Sequence, residues 1–217
     1  MNDAHAPTRR NLKSEAARRR LCVAMVEALD RHGYAEASIA RVQELSGMSR
    51  GALTHHFASK TLLIEATVDH LFEGAVGGAA KLHASVKARL ATEGREADWP
   101  AFFKAYCHAS WSRILETMEG RALIEILVAT RTDDELRDLL EPRLQRWDAA
   151  ISDGVAQIFL SQRGDADLRV VWGICRTFFR GLMLHERFLE DRGQLPEFVE
   201  RFAEMVAPHL QPRDPNA

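Results

Sequence analysis

"SIARVQELSGMSRGALTHHFASK", residues 38–60, holds two short amphipathic runs divided by a glycine. Ser38 stands where a helix N-cap belongs, and Ile39, Val42 and Leu45 then share one helical face. Gly47 ends that run as a C′ glycine does, and Ser49 offers the next cap. Over 49–57 a helical wheel turns Leu53 and Phe57 inward at i, i+4. Gly51, Thr54 and His55 point outward, and Arg50 reaches out from the first turn. This second run is too polar for a core helix and too short to be stable alone, so it must meet another surface. Two short helices across a tight glycine turn have helix-turn-helix spacing, the motif that lays its second helix in the DNA major groove. A bare outward glycine lets the helix backbone approach another molecule closely. Arg50 can bond guanine O6 and N7, while Thr54, His55, His56 and Lys60 carry donors for phosphates or base edges. The candidate DNA-contacting set is Ser38, Ser49, Arg50, Gly51, Ala52, Thr54, His55, His56 and Lys60.

Charge points the same way. Residues 1–60 carry ten Arg/Lys against six Asp/Glu, whereas the rest of the 217-residue chain carries nineteen against twenty-five. A basic head on an acidic body suits a polyanion partner at one end only. The overall composition, 46% hydrophobic and 28% charged, is that of an ordinary globular protein. No apolar run reaches the roughly 20 residues that span a bilayer, and residues 1–20 lack a signal peptide's apolar stretch. Cys22, Cys107 and Cys175 are odd in number and lack a CxxC, which argues against a disulfide framework or structural zinc. The expectation is a cytoplasmic protein with no metal and no cofactor.

Working outward, nearly every segment reads as helix. Leu21, Ala24, Met25 and Ala28 stripe a helix over 15–32 that Gly33 stops, and Ser59 caps a long segment running to about Leu90. That segment contains Gly74, Gly77 and Gly78, each costing about 1 kcal/mol in a helix; close packing against a neighbouring helix is the preferred explanation over a hinge. Residues 91–100 form a polar turn. Helices are expected at 101–117, 121–131, 133–161, 166–190 and 196–210, with Pro142 kinking the third or starting a new helix within it. No run alternates with period two, so strands are not expected. The fold class is all-α, about nine helices.

On these residues the chain resembles a known family. "ASIARVQELSGMSRGALTHHFASKTLLIEATVDHLF" is similar to the DNA-binding head of TetR-family transcriptional regulators. Ser38, Val42, Gly47-Met48-Ser49, Gly51, Leu53, His56, Phe57 and Lys60 match that family's motif, and upstream so do Leu21, Ala24 and Gly33-Tyr34. Gln43 and Ser46 stand where alanines are usual, and Thr54 where a phosphate-contacting tyrosine is usual. The motif match covers roughly residues 15–65. The resemblance implies a basic, flexible arm at 1–14 and a three-helix DNA-binding head at 15–75, with its motif at 38–57. A helical ligand-sensing and dimerisation domain would follow at 76–210, then a disordered tail at 211–217. It further implies a homodimer on an inverted-repeat, double-stranded operator, most commonly a repressor released by a small-molecule effector.

Independent support for dimerisation lies in 166–190, which is apolar on two faces. Leu168, Val171, Trp172, Cys175, Phe178, Phe179 and Leu182 make one; Val170, Gly173, Ile174, Thr177, Gly181 and Leu184 make a second, nearly opposite, suited to a partner helix. Tyr106, His108, Trp111, Met118, Trp147, Phe159 and Trp172 are candidates to line an apolar effector pocket, although each taken singly is more often plain core. Glu186 falls on the apolar side of its helix, where an acid needs a partner. Two other classes compete. An all-helical enzyme would need a concentrated polar site: "HERFLE" (185–190) begins like HExxH but lacks the second histidine, and no GxSxG or P-loop occurs. A non-specific DNA-binding protein would be basic throughout, and this body is acidic.

Overall fold

In the computed structural model, residues 9–93, 98–112 and 116–213 are described. Expectations for residues 1–8 of the arm, 94–97 of the polar turn, 113–115 at the end of the 101–117 helix and 214–217 of the tail lie outside them. Nine α-helices run through the described residues: α1 (Arg9–Glu36), α2 (Ile39–Ser46), α3 (Arg50–His56), α4 (Lys60–Glu93), α5 (Trp99–Ser110), α6 (Met118–Ala129), α7 (Asp134–Ala156), α8 (Asp165–His185) and α9 (Leu195–Val206). None is long and apolar enough to cross a membrane.

The chain divides into two units. The first gathers residues 9–71 with Ala122–Glu141. Its core is built from the stripe on α1 (Leu21, Met25, Leu29), from Val42 and Leu53, from Leu63 and Ile64 on α4, and from Ile126, Leu136 and Leu140. Full burial of such side chains stabilises by about 1.5–3 kcal/mol each. The second unit comprises Phe72–Arg121 and the chain from Pro142 onward. There α5 packs on α9, and Trp99, Phe102, Phe103, Tyr106 and Phe159 form a continuous cluster of ring contacts.

Several expectations are corrected. The compact unit that holds the expected head (15–75) runs to Leu71 and takes in most of α6 and the start of α7, 50 residues further along the chain. Buried Ile126, Leu136 and Leu140 explain why, since those apolar faces complete its core. Arg9–Ser14, assigned to a flexible arm, are already helical. Pro142 stands inside α7 without ending it. Two three-residue strands exist after all, β1 (Phe159–Ser161) and β2 (Leu210–Pro212), antiparallel with Phe159 opposite Pro212. Gln211 and Pro212 are therefore strand rather than tail, and Arg213 donates to the Ile158 and Ala156 carbonyls. Strands this short leave no period-two signal to read. Glu186 lies just past α8, in a 3₁₀ turn, half-buried.

The glycines of α4 are the clearest reversal. A Cβ built on Gly74, Gly77 or Gly78 meets nothing within 4 Å, so no neighbouring helix packs there among the described residues. Glycine in an open helix costs backbone entropy and returns no contact. Gly77→Ala should accordingly stabilise the protein by about 0.5–1 kcal/mol. Chemical denaturation checks this; a lower midpoint would show that the position meets a surface beyond the single chain.

Candidate nucleic-acid interface

Each helix of the helix-turn-helix is capped at its N-terminus by a local bond. Ser38 Oγ accepts the Arg41 N–H at 3.3 Å, and Ser49 Oγ accepts the Ala52 N–H at 3.2 Å. Such caps contribute about 1 kcal/mol each. Gly47 sits at φ 63°, ψ 19°, and its N–H reaches the Gln43 and Glu44 carbonyls, ending α2 in the left-handed geometry that glycine adopts without a Cβ penalty. Ser46 is buried where an alanine is usual: its hydroxyl donates to the Gln43 carbonyl and accepts the Met48 N–H. The departure from the usual residue thus ties the turn instead of loosening it.

α3 stands on Leu53 and Phe57, both buried, and its outer surface is Arg50, Gly51, Thr54 and His55, all exposed. Ala52 and His56 are half-buried at the flanks. Nothing lies within 4 Å of a Cβ built on Gly51. The Thr54 hydroxyl donates back to the Arg50 and Gly51 carbonyls, which leaves its lone pairs outward but engages its proton. The His55 and His56 rings meet edge to face at 5.3 Å. Partial burial, His55 and Arg18 together hold the His56 imidazole below its usual range.

Lys60 differs from its expected role. Its ammonium donates to the Tyr34 carbonyl at 2.6 Å and lies 4.3 Å from the centre of the Tyr34 ring. It joins the start of α4 to the end of α1 and is half-buried there. Lys60→Ala should therefore act first on the fold, lowering head stability by about 1–2 kcal/mol and weakening every DNA site in proportion. Thermal melting beside a binding curve tests this. Wild-type melting with weakened DNA binding would restore the phosphate role.

Three residues of the head's frame were not picked out from the sequence. Arg18 on α1 donates to the His56 carbonyl at 3.1 Å and lies over the Phe57 ring at 4.4 Å, so it holds the C-terminal end of α3. Arg20 reaches to 3.2 Å of where a Gly47 Cβ would stand. Glu125 on α6 accepts the Tyr34 N–H at 3.3 Å. Arg18 and Arg20 read as part of a basic run, and nothing local marks Glu125, which is 91 residues from its partner.

The sequence matches of this head fit its geometry. Residues 23–67 match the profile described as "Bacterial regulatory proteins, tetR family". The DNA-binding head of this chain is of the TetR type. The TetR-type head is 45% identical over 56 residues to the HTH-type transcriptional regulator BetI of Ectopseudomonas mendocina, covering 26% of this chain and 29% of that one. BetI of Yersinia pestis is 29% identical over 130 residues, covering 52% and 65%. The chain thus spans from under a third to about two thirds of the length of these curated relatives. Over most of the chain the fold is similar to that of solved TetR-family regulators. One from Rhodococcus sp. superposes with a TM-score of 0.61 at 18% identity, covering 88% of this chain and 99% of that one. Another, from Mesorhizobium loti, gives 0.59 at 14% identity, covering 94% and 99%.

Away from the TetR-type head, the pocket candidates separate. Tyr106 meets Phe159 at 5.0 Å and Trp172 at 6.4 Å. Trp111 packs on Phe179, and Trp147 on Phe72. His108 and Met118 are half-buried. Among the described residues, no group of three or more His, Cys, Asp or Glu is placed to hold a metal ion. The three cysteines are buried and none forms a disulfide.

Proposed function

We propose that this protein is a sequence-specific DNA-binding transcriptional regulator, a homodimer that reads an inverted-repeat operator through α3 and is released by a small-molecule effector. The observation that carries the reading is the outer face of α3: Arg50, Gly51, Thr54 and His55 are all exposed on a helix-turn-helix whose two helices are both capped. Ser38, Ser49 and Ala52 set and flank that helix, and Arg50 and His55 discriminate bases. Thr54 and His56 meet phosphates. Footprinting on the DNA flanking its own gene tests the reading. A discrete palindrome is expected, with half-site centres about one helical turn or a multiple apart. Uniform coverage, or none, would exclude it.

Dimerisation is supported by the apolar face that α8 leaves open. Val170, Ile174 and Leu184 are 61%, 54% and 51% exposed, and Met205 on α9 is 66% exposed. Gly173, Thr177 and Gly181 lie between them. A contiguous exposed apolar strip of this kind marks an interaction surface. Gly181 discriminates well, because a Cβ there meets nothing within 4 Å in the single chain. Gly181→Leu should leave the fold intact and overfill the seam between protomers, shifting the protein toward monomer. Light scattering that shows a wild-type dimer would remove this face from the interface.

A further inference from the structure

The last turn of α3 carries two adjacent imidazoles whose charged neighbours are cationic. His55 is exposed and His56 half-buried, and their rings meet edge to face at 5.3 Å. The carbonyls that end a helix form its negative pole, where an imidazolium is ordinarily favoured. Here that place is taken. Arg18 of α1 donates to the His56 carbonyl at 3.1 Å, and its guanidinium lies over the Phe57 ring at 4.4 Å. Lys60, at the start of α4, gives its ammonium to the Tyr34 carbonyl.

The surroundings of His56 therefore oppose a proton on its ring. Burial is the largest influence, followed by His55 on the same turn and then by Arg18 from α1. All three act in one direction, and no carboxylate is among them. An anion arriving from outside reverses the balance. A backbone phosphate within hydrogen-bond reach accepts the ring N–H and favours the charged form.

We infer that DNA binding is coupled to proton uptake by His56, one proton at each half-site, so that affinity for DNA rises as pH falls. This rests on the reading of α3 as the DNA-contacting helix with His56 on a phosphate. The sign follows from linkage. The proton is held weakly in the free protein and more tightly in the complex, so the gain is complete at pH values low enough to protonate the free ring. It is lost as pH rises through the higher pKa of the complex. A phosphate carries no sequence information, so the coupling changes affinity and leaves the preferred bases as they are.

Fluorescence-anisotropy titration of the full chain against the footprinted operator, at pH 6 and pH 8 and one ionic strength, tests the coupling. Kd should tighten toward pH 6 by about tenfold or more, or about threefold at each half-site. His56→Gln keeps a hydrogen-bond donor that cannot become charged, and its gain should fall below about twofold. His55→Gln removes a neighbour that can carry like charge and leaves the titrating ring, so its gain should persist. A second measurement needs no variant. Titration calorimetry of the unaltered protein at pH 7, in two buffers of different ionisation enthalpy, counts the protons directly, and net uptake on binding is expected. Equal Kd at the two pH values, net proton release, or a gain that survives in His56→Gln overturns the proposal. Binding-site selection at both pH values should return one sequence. A preference that changes with pH would put the proton on a base contact and overturn the phosphate assignment. DNA bound equally well at pH 6 and pH 8 removes the coupling and keeps the regulator, whereas no footprint at either pH removes both.

Discussion

Gly33→Ala should destabilise the DNA-binding head by about 2–5 kcal/mol and abolish operator binding at physiological temperature. Gly33 interrupts α1 at φ 73°, ψ 170°, a backbone region essentially closed to residues with a side chain and costing on the order of 1–3 kcal/mol. The space is closed as well. An alanine Cβ would stand 3.1 Å from Glu125 Oε2, the atom that accepts the Tyr34 N–H. Pushing that carboxylate away leaves a part-buried N–H without its charged acceptor, roughly 1–2 kcal/mol more. The Tyr34 carbonyl, which receives Lys60, shifts with it. Denaturant unfolding followed beside operator affinity measures both effects. Glu125→Gln separates them, since it retains an acceptor oxygen and should lose under about 1 kcal/mol. A Gly33→Ala protein with wild-type stability would mean that the backbone here can relax to an ordinary conformation, and the account of this corner would fall.

Arg50→Ala should weaken operator binding by about 1–3 kcal/mol per half-site and relax the preference at one base position in each. In a dimer the two half-sites together give roughly a thirtyfold loss or more. Non-specific affinity should fall much less, because one exposed contact leaves most of the phosphate interactions in place. Arg50 is exposed on the first turn of α3, and Gly51 beside it offers no side chain to hold the helix off the base edges. Binding-site selection with the variant checks this. An unchanged preferred sequence would mean that α3 enters the groove by another edge, with His55 as the reading residue. The same selection with His55→Ala then decides which edge it is.

How much of this was legible beforehand follows the range of the interactions involved. Ser38 and Ser49 as caps, Gly47 as the left-handed stop, and Leu53 and Phe57 as the inward pair were all readable, because each depends on neighbours within four residues. The two faces of α8 were readable for the same reason, since a helical period places Trp172 and Phe179 opposite Ile174 and Thr177. The all-helical class and the position of the helix-turn-helix followed from these local rules. Tertiary structure alone decided the rest. That Lys60 folds back on Tyr34 is a contact over 26 residues, and that Glu125 closes over Gly33 spans more than 90. Neither leaves a periodic trace, because a long-range pair constrains two positions and not the residues between them. The inclusion of most of α6 in the head, the pairing of β1 with β2 and the meeting of Tyr106 with Trp172 are of the same kind. The open surface beside Gly74, Gly77 and Gly78 shows the limit from the other side. A glycine in a helical pattern signals only that a side chain is dispensable there, and whether a neighbour fills the space depends on elements distant in the chain.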